Sequence, residues 1–190
     1  MNELSRHLIV VGLLLWSWCA SLAGQALAEE SLYKATVEHE VKAAFIHNFT
    51  KFIDWPSEAF ETKDSPFRIG ILGKGFIDKS LIDLTGKKTQ KRLLEVSRVK
   101  NPNEFSQFHV IFVNSSENGR LKSILQTFKG AGILTIGDMP GFAERCGVIN
   151  FYLKSGKVRF EINVEASHQE KLKISSKLLR LARIVNSECN

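Results

Sequence analysis

The chain has 190 residues, 44% of them apolar and 24% charged, with a formal net charge of +6. That apolar share excludes a disordered or collagen-like polymer and suits a folded domain with its own core. The modest positive charge favours acidic partner surfaces or anionic lipid over nucleic acid.

The first segment is an export signal. Arg6 and His7 give a basic start, Leu8 to Leu15 is apolar, and small residues lead to Ala26-Leu27-Ala28 before Glu29-Glu30. This is the layout of a secretory signal peptide cut at an A-x-A site after Ala28. The apolar run is shorter than the roughly 20 residues needed to cross a bilayer. Cys19 follows Trp18, where lipid attachment wants a small residue. The expectation is a signal peptide over residues 1–28 and one domain over 29–190, located outside the cytoplasm and not itself membrane-spanning.

Glu40 to Pro56, EVKAAFIHNFTKFIDWP, reads as an amphipathic helix. At 100° per residue Val41, Ala44, Phe45, Asn48, Phe49 and Phe52 share one face, and Glu40, His47, Thr50 and Asp54 the other. Pro56 disfavours the helical region for Trp55 and stops the helix there. Strand and helix then alternate. Arg68–Leu72 is a strand ending at Gly73-Lys74-Gly75, and Phe76–Leu84 a helix with Ile77, Leu81 and Leu84 inward and Gly86 as its stop. Leu93–Val99 and His109–Asn114 are strands, the latter apolar enough to be buried on both faces. Arg120–Lys129 is a helix closed by Gly130, and Ile133–Ile136 another strand.

Val148–Leu153 and Lys157–Val164 flank Lys154-Ser155-Gly156, a hairpin signal that adds an antiparallel edge. From Ser167 to Val185 the tail reads as helix, with Ser175 placed to cap a new start near Ile174. The fold class is therefore α/β. A single domain carries a mixed, mostly parallel sheet flanked by helices on both faces, with a C-terminal hairpin edge and a terminal helix.

Chemistry-bearing motifs are weak. Gly70-x-x-Gly73-x-Gly75 lies where a phosphate-binding turn would sit, but it lacks the third glycine of G-x-G-x-x-G, and tight-turn glycines explain it better. Thr85-Gly86-Lys87-Lys88 lacks the features of a P-loop. His39, His47, His109 and His168 show no metal spacing, and no Ser lies in G-x-S-x-G. The reading is non-catalytic, with no cofactor and no metal.

Polar groups in apolar settings suit binding better. Asn48 lies in the helix stripe and must satisfy its amide. Arg159, Glu161 and Asn163 share one strand face, read as a solvated edge and as a candidate contact surface. Lys173, Lys177 and Arg180 form a basic stripe on the tail, with Lys177 and Arg180 as further candidate contacts. After signal removal Cys146 and Cys189 remain; they pair, stay as separate thiols, or bridge two chains.

Three segments together carry a resemblance: EVKAAFIHNFTKFIDWP, ILTIGDMPGFAERCGVINF and VRFEINVEASHQEKLKISSKLLRLARIV. Over about residues 38–185 the chain resembles the YfiR family. The resemblance implies a periplasmic, non-catalytic regulator that binds the periplasmic module of an inner-membrane diguanylate cyclase and represses it. Lower cyclic di-GMP and less biofilm follow. It also implies a YfiB-like outer-membrane lipoprotein as a second partner, and a homodimer is a further option. His47 stands where the family often has an aromatic residue, and the first disulfide of well-known members has no counterpart. The alternative function is a periplasmic small-ligand sensing module reporting to another membrane protein, such as a histidine kinase.

Overall fold

In the computed structural model, residues 30, 32–100, 102–187 and 189 are described; the expected signal peptide, residues 1–28, lies outside them. The chain divides into two compact units, Met1–Glu38 and His39–Asn190. In the first, residues 30 and 32–38 are helical. In the second, helix α1 covers 39–52, and the remaining elements follow it.

Short strand β1 (Ile53–Asp54) leads to β2 (Phe67–Leu72), helix α2 (Asp78–Ile82), β3 (Lys88–Thr89) and β4 (Arg92–Arg98). Next come β5 (Val110–Val113), α3 (Leu121–Phe128), β6 (Leu134–Gly137), β7 (Ile149–Lys154) and β8 (Lys157–Asn163). The tail is α4 (Val164–Gln169), β9 (Lys173–Ile174), α5 (Ser176–Leu179) and β10 (Arg183–Val185). The sheet order is β10-β8-β7-β6-β5-β2-β4-β3. It is parallel except for β7 with β8 and β3 with β4, so the mixed, mostly parallel α/β class holds.

Alternation along β5 explains the layering. Val110 and Phe112 join a core with Ile46 and Phe49 of α1 and Leu81 of α2. Ile111 and Val113 join another with Leu121, Leu125 and Phe128 of α3. A strand buried on both faces must be apolar throughout, as its sequence is. The turn between β7 and β8 has Ser155 at φ 50° and Gly156 at φ 71°, positive values matched to hairpin twist.

Three expectations are corrected. The first helix stops at residue 52, because Ile53 and Asp54 pair antiparallel with Ile174 and Lys173. Its buried face is rotated towards Lys42, Ala43, Ile46 and Thr50, leaving Val41, Ala44, Asn48 and Phe52 exposed. Lys42 holds Asp138 at 2.9 Å, and Thr50 meets the Thr89 hydroxyl at 2.7 Å, so two polar side chains lie on the inward face. Asn48 is solvated instead, accepting from Lys51 Nζ at 3.3 Å.

The tail is not one helix. Lys171 at φ 54° breaks it, and the chain returns extended so that Ser175 N–H donates to Phe52 O at 2.9 Å, satisfying a carbonyl at the end of α1. Ser175 then caps α5, its hydroxyl accepting from Leu178 N–H at 3.3 Å, as its position in the sequence suggests. The β7–β8 hairpin is not the edge either, because β10 pairs parallel with β8 beyond it.

Candidate functional site

In an open parallel sheet the first place to look is the crevice at the carboxyl ends of the strands where the winding reverses. Here that point lies between β2 and β5, and the chain's own side chains fill it. Asp78 accepts from Asn114 Nδ2 at 3.0 Å, from Arg98 Nη2 at 2.6 Å and from Gly75 N–H at 3.3 Å. The Ser116 hydroxyl accepts from Lys74 N–H at 2.9 Å. The carboxylate of Asp78 thus accepts three hydrogen bonds at the start of α2. Gly73 takes φ 81°, and a Cβ at Gly75 would collide with the Asn114 carboxamide. The glycines of Gly70-x-x-Gly73-x-Gly75 therefore serve close packing and a tight turn. Among the described residues no group of His, Cys, Asp and Glu is arranged to hold a metal.

His109 at the start of β5 is likewise sealed. Its Nδ1 accepts from Arg68 N–H at 3.0 Å, which leaves Nε2–H to donate to Ala59 O at 2.9 Å. Phe60 stacks on the ring at 4.3 Å between centroids, and Phe67 lies at 4.9 Å. Burial pushes its pKa down to about 4. The neutral ring is a structural cross-brace.

The strand face of Arg159, Glu161 and Asn163 divides. Arg159 is exposed near the hairpin tip, whereas Glu161 and Asn163 are buried between β7 and β10, so the solvated-edge reading does not hold for them. Glu161 accepts from Asn150 Nδ2 at 2.9 Å and from Arg183 Nε at 2.8 Å. That carboxylate holds the Arg183 guanidinium above its ordinary pKa, and Arg183 also lies over the Tyr152 ring at 4.6 Å. Asn163 caps α4 by accepting from Ala166 N–H at 2.9 Å, and donates to Ala143 O at 2.8 Å. Cys146 and Cys189 form a disulfide, their Cα atoms 5.6 Å apart, and close a loop with a sequence separation of 43. Closure of a loop that long contributes about 4 kcal/mol through the unfolded chain.

A groove stays open between α1 and α5. Phe45, Phe49, Phe52, Phe160, Leu178 and Leu181 line a hollow of about 260 Å³, with Asn48 and Lys177 at its margin. Phe160 forms the floor, 4.9 Å from the Phe49 ring and 5.6 Å from Phe45. Phe52 is 41% exposed and Leu181 71%. Lys177 and Arg180 are both exposed on the short α5 turn. The structure thus gathers Asn48, Phe52 and Lys177 on one surface, and it places Arg159 apart from them. Sequence periodicity assigned Phe52 to the core and did not single out Leu181. The available signal was the excess of apolar residues in Leu178-Leu179-Arg180-Leu181, more than a four-residue helix can bury.

The YfiR/HmsC-like family model matches residues 39–183. A comparison with curated proteins gives no match. Among solved structures, an ABC domain from Streptococcus pneumonia in complex with L-Trp is 10% identical, at a TM-score of 0.46, covering 63% of this chain and 55% of that one. A conserved domain protein from Vibrio cholerae is also 10% identical, at 0.45, covering 64% of this chain and 54% of its own. The chain spans little more than half of either. No helix among the described residues is long and apolar enough to cross a membrane. The family match extends over most of the chain, including the α1–α5 groove, and the protein belongs to the YfiR/HmsC-like family of periplasmic regulators of cyclic di-GMP signalling.

Proposed function

We propose that this protein docks through the α1–α5 groove on the periplasmic module of an inner-membrane diguanylate cyclase and holds the enzyme inactive. The observation that carries the reading is the exposure of Phe52 and Leu181 over an aromatic floor, beside Lys177. Large apolar side chains left in solvent around a hollow mark a surface used for association. The basic margin suits an acidic rim on the partner.

Repression by docking is a population shift. The regulator must bind the inactive arrangement of the cyclase more tightly than the active one. Moving that equilibrium from 1:99 to 99:1 takes about 10⁴-fold preferential affinity. Export with removal of residues 1–28 delivers the domain to the compartment where the module lies. A YfiB-like outer-membrane lipoprotein that captured the same surface would release the cyclase. Arg180, beside Lys177, is a secondary contact, and Arg159, which lies apart from the groove, is not. Deletion of the gene in a strain carrying an adjacent cyclase raises cyclic di-GMP and biofilm; unchanged levels would overturn the reading.

A further inference from the structure

A separate cleft lies between α3 and α4, where the disulfide anchors the end of the chain. Its volume is about 250 Å³. The floor is apolar: Leu125 of α3, Ala166 of α4 and the Cys146–Cys189 sulfurs. Three cations, Lys122, Lys129 and Arg145, line it with them.

The cations lack acidic partners. Lys129 Nζ donates to Cys189 O at 3.2 Å. Arg145 is held by Gly141 O at 3.2 Å, Asn118 Oδ1 at 2.9 Å and Pro140 O at 3.0 Å. All of these acceptors are neutral, so the guanidinium is positioned without losing its charge to a carboxylate. Among the described residues none of the three cations forms an ion pair. Glu170, the one carboxylate lining the cleft among the described residues, is turned into the backbone and accepts from Gly130 and Gly132 N–H at 2.9 Å each. Burial raises its pKa.

We propose that this cleft binds a small organic anion, a carboxylate or phosphate head on a short apolar body. The head meets Arg145, Lys129 and Lys122, and the body lies on Leu125, Ala166 and the disulfide. The volume falls just below the roughly 300 Å³ at which pockets for drug-sized ligands begin, which limits the occupant to a small metabolite. A bare ion would leave the apolar floor unused, and a neutral ligand would leave the positioned cations unanswered. The inference is independent of the groove and of any cyclase.

The test is an amide NMR titration of the secreted protein with phenyl phosphate and with benzoate, using inorganic phosphate and benzyl alcohol as controls. The expected result is saturable shifts at Leu125, Ala166 and Gln169 with one or both aromatic anions, and weaker binding of both controls. The preferred head group tells phosphate from carboxylate. Lys122→Gln, which removes an exposed charge and no hydrogen bond among the described residues, and Lys122→Gln/Arg145→Gln should weaken binding progressively, the double variant about tenfold. Absence of saturable shifts at these residues overturns the proposal. Inorganic phosphate binding as tightly (an adventitious ion only), benzyl alcohol binding as tightly, or variants with unchanged affinity would do the same.

Discussion

The crevice at the carboxyl ends of β2 and β5 and the groove between α1 and α5 are treated in opposite ways by this chain. In the crevice, Asp78, Asn114 and Arg98 satisfy one another and the backbone. In the groove, Phe52 and Leu181 stay in solvent although the α1 core is one turn away. The chain pairs off its polar groups at the crevice and leaves an apolar surface open at the groove. The difference points to association, and it separates residues that hold the fold from residues free to serve a partner.

Acid should produce the largest change on the sealed side. His109 has a folded-state pKa of about 4, below the ordinary 6.5, so the unfolded chain takes up the proton first. Its stabilisation is present above pH 6.5 and is lost as pH falls through 4, a contribution of about 3 kcal/mol. Denaturant midpoints from pH 7.5 to 3.5 should show this decline in the native chain and lack that component in His109→Asn. Parallel profiles would remove His109 from the sealed class.

Asp78→Ala comes next. It removes the carboxylate acceptor of Asn114 Nδ2, Gly75 N–H and Arg98 Nη2, for about 2 kcal/mol; Asn114 keeps Leu72 O and the half-exposed Arg98 keeps Gly73 O, so the loss stays below that of a fully buried pair. Equilibrium unfolding measures it, and a loss under about 0.5 kcal/mol would mean that the plug is ornamental rather than structural. The smallest effect belongs to the groove's margin. Lys177→Glu with Arg180→Glu should leave the unfolding midpoint unchanged and weaken partner binding several-fold at low ionic strength, with the difference fading as salt is raised. Salt-independent weakening would contradict a charge-guided margin.

Much of the fold was legible before any coordinates. The apolar run of β5, the Ser155-Gly156 turn and the stop at Gly130 depend on local rules, and each stands where those rules place it; the helix expected to run to Gly86 ends earlier, at Ile82. The tail was misread because Ser167 to Val185 has helical composition throughout. What overrides it is non-local: β9 pairs with β1, and β10 with β8. The same cause hid the site. Periodicity located Phe45, Phe49 and Phe52 on one helix, but which of them would be covered depended on where α5 docked. Glu161 and Asn163 looked like surface for as long as β8 looked like an edge. Lys177 was found as one of a basic stripe, and its place beside Asn48 and Phe52 follows only from the break at Lys171.

In the proposed mode of repression the open groove receives the cyclase. Leu181→Asp and Phe52→Asp place a charge on side chains that the core does not need, and each should leave the thermal midpoint close to that of the native protein. Affinity for the purified periplasmic module of the cyclase, measured by surface plasmon resonance, should fall at least tenfold in each, as for a truncated interface anchor. Native-like affinity in both variants, with the fold intact, would contradict the account.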